Sequence, residues 1–177
     1  MSNKDFFKIG EADKWFTRNW ESLEKKRDNK SADLLIDWLE PYKKDINCLV
    51  EIGCGSGYQA AILALLCRRV YTMERLKPLL VDAENRLRDL RISNIVFRLG
   101  DGSKGWPEAA PFDRIILTCG CNKIPDILLQ QLKIGGIMVA PEGHGKEQKL
   151  VVVSRHERGF ERLSLMPVTF VPLVEEG

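Results

Sequence analysis

Ten residues, Cys48-Leu-Val-Glu-Ile-Gly-Cys-Gly-Ser-Gly57, constrain this chain more than any others. An apolar run, Cys48 to Ile52, ends in glycines at alternate positions, Gly53, Gly55 and Gly57, and a helix-forming stretch, Tyr58 to Cys67, follows at once. The pattern predicts a strand, a tight glycine loop and a helix. Such a unit aims backbone N–H groups and the positive end of a helix at a ligand. Glycines without Cβ atoms let the loop turn sharply and approach that ligand closely.

The spacing narrows the ligand class. Dinucleotide sites favour G-x-G-x-x-G, and a phosphate loop needs a Lys-Ser or Lys-Thr pair. Here the pattern is acidic-x-Gly-x-Gly-x-Gly, with Glu51 inside the strand, and there is no such pair. A second apolar run, Val70 to Met73, ends in Glu74, seventeen residues past Gly57. A carboxylate at the tip of a second strand can accept hydrogen bonds from both hydroxyls of a ribose. The E-x-G-x-G-x-G form resembles motif I of class I S-adenosyl-L-methionine methyltransferases, and a domain binding a nicotinamide dinucleotide is the alternative.

Downstream the alternation is regular. The helix at 58–67 and a strand at 69–74 complete a βαβ unit. Pro78 suits the first turn of the next helix, whose buried face is Leu79, Leu80, Ala83, Leu87 and Leu90. Strands are expected at 95–99 and 112–118, a helix at 124–132, a break at Gly135-Gly136 and a strand at 137–140. Two strand-like segments, 149–155 and 160–171, flank the turn Glu157-Arg158-Gly159 and predict a hairpin on one sheet edge. The expected fold is α/β: a class I methyltransferase, Rossmann-like three-layer fold with a mostly parallel seven-stranded sheet and an antiparallel C-terminal hairpin strand.

Residues 1–47 form the expected N-terminal helical segment, on the lid or substrate side, and 48–177 the cofactor-binding domain, together one compact domain. Trp15, Phe16, Trp20 and Leu23 make an apolar stripe. It reads as packing across the sheet or the mouth of the cofactor site, and more sharply as an aromatic lid. Ser31 or Asp33 caps a helix through Trp38 and Leu39 that Pro41 ends.

From about Leu49 to Leu173 the sequence resembles the protein-L-isoaspartate O-methyltransferase family. The resemblance rests on Val50 to Ala61, Val70-Tyr-Thr-Met-Glu-Arg75, Gly100-Asp-Gly-Ser-Lys-Gly-Trp-Pro107 and Ala110 to Thr118 with Ile124-Pro125. It extends to Leu132-Lys-Ile-Gly-Gly136, Gln148-Lys-Leu150 and Val168-Thr-Phe-Val-Pro-Leu173. It implies S-adenosyl-L-methionine as cofactor, S-adenosyl-L-homocysteine as product, and isoaspartyl carboxylates of proteins or peptides as acceptors. The implied cofactor-binding residues are Glu51, Gly53, Cys54, Gly55, Ser56, Gly57, Glu74, Arg75, Asp101, Gly102 and Thr118. The glycines would contact the methionine portion and ribose, and Glu51 would order the loop or bind the amino group through water. Glu74 would bind the ribose hydroxyls and Asp101 the adenine amino group.

The acceptor side departs from the family pattern. No Ser-x-Pro element precedes the glycine loop, Ser31-Ala32-Asp33 lacks the proline, and Cys119-Gly-Cys-Asn-Lys123 replaces a more usual alanine-rich stretch. A glycan or small-molecule acceptor and a non-catalytic cofactor-binding module are therefore the alternatives. An acceptor needing a base would draw on Glu142 or His144. A carboxylate acceptor needs none, because it is ionised at neutral pH.

Bulk properties exclude other classes. A chain of 177 residues suits one domain with a proper core. Its 27 basic and 25 acidic residues give a net charge of +2, with no dedicated nucleic-acid surface. No apolar run is of bilayer length and no signal-peptide pattern opens the chain. Five cysteines without zinc or C-x-x-C spacing read as buried thiols in a reducing cytoplasm. A monomer without metal is expected.

Overall fold

A computed structural model describes residues 46–145 and 147–174. The N-terminal helical segment, its aromatic stripe and the Ser31 or Asp33 cap fall outside these residues. The first strand, β1 (Cys48–Ile52), leads into α1 (Tyr58–Leu66), β2 (Arg69–Glu74), α2 (Lys77–Asp89) and β3 (Ile95–Leu99). Two short 3-10 turns, Gly102–Lys104 and Pro107–Ala109, precede β4 (Phe112–Leu117), α3 (Asp126–Gln130) and β5 (Leu132–His144). A hairpin of β6 (Glu147–His156) and β7 (Gly159–Val168) ends the sheet.

The seven strands lie in the order β3-β2-β1-β4-β5-β6-β7. Neighbours from β3 to β5 pair in parallel, and β6 pairs antiparallel with both β5 and β7. β6 is thus the antiparallel strand of an otherwise parallel sheet, as expected. Alternation sends neighbouring residues of a strand to opposite faces. Leu49 and Val70 pack under Ala64 and Cys67 on one face, whereas Val50 and Ile115 meet Leu128 and Leu129 of α3 on the other. Two helices therefore cover one face, and α3 with the 3-10 turns covers the other. Central β1 is buried along four of its five residues, as a strand covered on both faces should be.

Two expectations are corrected. The helix expected over 124–132 is only Asp126–Gln130, because Phe112 N donates to the Gln131 carbonyl at 2.8 Å and Leu132 already pairs with Phe112. Gly135-Gly136 does not precede the strand but lies within it. The register jumps from Phe112–Leu132 to Arg114–Ile137, so the glycines form part of an irregular bulge. No helix among the described residues is long and apolar enough to cross a membrane.

The sequence of crossovers reverses at β1. Chain order runs outward from β1 through β2 to β3, then returns to β4 on the other side. Open α/β sheets bind ligands at such a switch point, outside the carboxyl ends of the strands.

Candidate functional site

A cavity of about 680 Å³ opens at this switch point. One wall comes from the tips of β1 and β2 and the start of α2: Ile52, Gly53, Gly55, Met73, Glu74 and Leu79. Gly102, Thr118 and Cys119 lie beside it, and the tail from Thr169 to Val174 closes the far side.

The glycine loop is built backbone-first. The N–H groups of Gly53 and Cys54 converge on the Met73 carbonyl at 2.9 and 3.0 Å, fastening the loop to β2. Gly53 has φ +102°, and a Cβ there would sit 2.2 Å from Thr118 Oγ1. That hydroxyl lies 2.8 and 2.7 Å from the carbonyls of Ile52 and Gly53, so it ties the loop to β4 as well. Gly57, at φ +82°, abuts α2: a Cβ there would stand 3.0 Å from Ala83 and 3.1 Å from Leu87, so a side chain would be tightly crowded. Gly55 differs: its φ is +53°, and nothing lies within 4 Å of where a Cβ would stand. There the loop turns bare backbone toward the cavity.

Glu74 organises the same wall. One carboxylate oxygen accepts from Gly55 N and the other from Leu76 N, both at 3.0 Å. An ionised carboxylate has about four acceptor positions, so two backbone donors leave capacity for two more. Glu74 is 8% exposed and borders the cavity, so that capacity is available to a ligand.

The other expected residues divide into those facing the cavity and those behind it. Gly53, Gly55, Glu74, Arg75, Gly102 and Thr118 line it. Glu51, Cys54, Ser56, Gly57 and Asp101 do not. Glu51 is fully buried on the helix-covered face. Its Oε2 accepts from Thr72 Oγ1 at 2.6 Å, while its Oε1 has no hydrogen-bond partner among the described residues. Burial pushes this carboxyl up to about 8; the Thr72 hydrogen bond opposes the shift and the Glu74 charge adds to it. Cys54 is buried beside it, and burial raises its thiol to about 12. Ser56 offers its carbonyl to Arg86 Nη1 at 3.2 Å. Asp101 caps the first 3-10 turn, accepting from Ser103 N at 2.9 Å, with Lys104 Nζ 3.7 Å from its other oxygen.

Glu142 and His144, the candidate bases, also lie away from the cavity lining. Glu142 accepts from Ile124 N at 2.9 Å and pairs with Arg162, and His144 Nδ1 meets Asn122 Oδ1 at 2.9 Å. Cys119 does face the cavity, but burial and the neighbouring Cys121 and Glu74 raise its thiol to about 12.

Sequence reasoning missed the apolar lining of Ile52, Met73, Leu76 and Leu79, and it gave the tail no role at the site. The signal for the first was present. A strand residue directly before the loop and the first apolar residues after Glu74 must flank any ligand at the strand tips. The tail is placed by contacts distant in sequence. Gly120 N donates to the Val171 carbonyl and Leu173 N to the Gly120 carbonyl, both at 2.7 Å.

Comparison with known proteins agrees with this architecture. The family model for protein-L-isoaspartate(D-aspartate) O-methyltransferase matches residues 29–177, a span that begins before the resemblance seen in the sequence. A protein-L-isoaspartate O-methyltransferase of Parvibaculum lavamentivorans is 55% identical over 130 residues, covering 72% of this chain and 59% of that protein. One of Paramagnetospirillum magneticum is 55% identical over 129 residues, covering 72% and 60%. A solved structure bearing the same name superposes with a TM-score of 0.68 at 25% identity, covering 78% of this chain and 45% of that one. This chain therefore spans about 60% of the length of the curated relatives it matches. With a family model matched over most of its length and relatives at 55% identity, the chain belongs to the protein-L-isoaspartate O-methyltransferase family.

Proposed function

We propose that this chain binds S-adenosyl-L-methionine in the switch-point cavity and transfers its methyl group to the carboxylate of isoaspartyl residues in proteins or peptides. The observation that carries the reading is the Gly53–Gly57 loop held by Glu74 beside open space. The residues fit the cofactor. Gly55 leaves the loop backbone open to the methionine portion, and the spare acceptor positions of Glu74 match two ribose hydroxyls. The cavity volume falls within the roughly 300–1,000 Å³ of small-molecule sites. Thr118 and Glu51 support the loop from behind, and Asp101 shapes the turn that sets Gly102 in the wall.

S-adenosyl-L-methionine supplies a methyl group already activated on a sulfonium. In the transfer a carboxylate oxygen forms a bond to the methyl carbon while the carbon–sulfur bonding pair stays on sulfur. The products are a methyl ester and S-adenosyl-L-homocysteine. The protein's part is to align the reactants and exclude water, effects able to supply several kcal/mol. Among the described residues the two expected bases, Glu142 and His144, stand away from the cavity, which suits a carboxylate acceptor that needs no base. The free state of all five cysteines suits a reducing compartment, which supports a cytoplasmic setting.

The test is labelled methyl transfer from S-adenosyl-L-methionine to an isoaspartyl peptide beside its aspartyl twin. Base-labile label on the isoaspartyl peptide alone is the expected result. Cofactor binding without transfer to either peptide would move the assignment to another acceptor.

A further inference from the structure

We propose that Gln148 is a positioning residue of the cofactor site: its side-chain amide clasps the tail at Phe170 and so holds the second wall of the cavity in place. The inference rests on the cofactor reading given under Proposed function. Gln148 is 4% exposed although β6 lies next to the sheet edge. Its Oε1 accepts from Phe170 N at 2.8 Å, and its Nε2 donates to the Phe170 carbonyl at 3.2 Å. A reciprocal pair to a single residue is what a neighbouring strand would provide. The strand β7 stops at Val168, which pairs with Gln148 through the backbone. The glutamine side chain then adds one more rung to the ladder, two residues past the end of the strand.

Gly120, in the segment that follows β4, completes the clasp. It exchanges two backbone hydrogen bonds with Val171 and Leu173, the residues just beyond Phe170. Its own Cβ position is taken: a methyl there would lie 2.5 Å from Gln148 Nε2 and 2.7 Å from its Cδ. The glycine at 120 and the glutamine at 148 are thus a matched pair. The first leaves the space that the second fills, and both fasten the same four-residue stretch. Cys119, adjacent to Gly120, and the tail from Thr169 to Val174 all border the cavity. Freeing the tail would remove one side of the site without touching the glycine loop.

The test compares Gln148→Ala, Gly120→Ala and the double variant in two measurements. S-adenosyl-L-homocysteine affinity is read by calorimetry, and amide hydrogen exchange is read in the ligand-free protein. Loss of two neutral hydrogen bonds predicts about tenfold weaker binding for Gln148→Ala. Exchange should accelerate at Phe170 and Leu173 while the amides of β1 and β4 stay protected. Gly120→Ala should weaken binding too. The double variant should bind no more weakly than Gln148→Ala, because the three atoms nearest a Cβ at 120 all belong to that glutamine. Wild-type affinity in Gln148→Ala, or unchanged exchange at Phe170, overturns the proposal. So does loss of protection throughout β1 and β4, which would make Gln148 a residue of the fold in general. If the wild-type protein itself does not bind the ligand, the cofactor reading fails, and the role of Gln148 at that site fails with it. Exchange in the ligand-free protein still reports separately whether the clasp exists.

Discussion

The two walls of the cavity are made differently. The loop wall is fixed several times over: two amides on Met73, two backbone donors on Glu74, the Thr118 hydroxyl, and Gly57 wedged against α2. The tail wall hangs from Gly120 and Gln148, and Phe170, Val171 and Val174 are exposed. Local stability follows the density of buried contacts, so the tail should open at lower free energy than the loop. This division suits the proposed function, in which the cofactor would always be the same molecule and fit a rigid cradle, whereas a peptide acceptor would vary in its surroundings.

Substitutions at the loop test this contrast most severely. Gly53→Ala combines a φ of +102° with a clash against Thr118, and should cost about 4 kcal/mol of stability and abolish ligand binding. Denaturant unfolding and calorimetry would read both losses. Gly55→Val meets no neighbour but puts a β-branched residue at a φ of +53°, a strain of about 1–3 kcal/mol, so it should abolish binding at a smaller cost in stability than Gly53→Ala. If the two variants are equally destabilised, the loop is not as selectively braced as described.

A pH experiment comes next in size. The Glu51 carboxyl titrates near 8 in the folded protein, above its usual range near 4.5, so the folded state holds the extra proton between those values. Stability should therefore fall as pH rises from about 4.5 to about 8, by several kcal/mol in total, and level off beyond. Glu51→Gln cannot ionise and should flatten that slope. Urea unfolding of both proteins at pH 5.5 and pH 8 checks it, and parallel slopes would remove Glu51 as the source.

Glu74→Ala removes the proposed ribose acceptor and the clamp on Gly55 together, and should weaken S-adenosyl-L-methionine binding by about 2–4 kcal/mol. Unchanged affinity by calorimetry would take Glu74 out of the cofactor site. The smallest effect belongs to the tail. Phe170→Ala leaves the backbone clasp intact and removes a side chain already 38% exposed, so stability should change by less than about 1 kcal/mol. A larger loss in thermal unfolding would mean that the two walls are equally integral.

The same contrast governs what was legible in the sequence. Strands β2 and β3 were bounded correctly because turn residues border short apolar runs. The limits of β5 were not, since pairing with β4 begins it at Leu132 and pairing with β6 carries it to His144, on both sides of the apolar stretch at 137–140. Within the site, the loop and Glu74 were readable because one local motif contains the geometry. Glu51 and Asp101 have the chemistry expected of them, and their carboxylates point to the Thr72 hydroxyl and the Ser103 amide. Only the direction of each side chain distinguishes these cases. The tail was unreadable as a wall because its placement depends on a side-chain amide twenty-two residues away.

The burial of Cys119 has a further consequence. A thiolate facing a sulfonium would be the most competent nucleophile in the cavity, and the protein would alkylate itself. Burial, with the neighbouring Cys121 and Glu74, raises the thiol to about 12, so it stays protonated near neutral pH. A cysteine can thus stand in the wall of the proposed methyl-transfer site, because the burial that places it there also keeps it protonated.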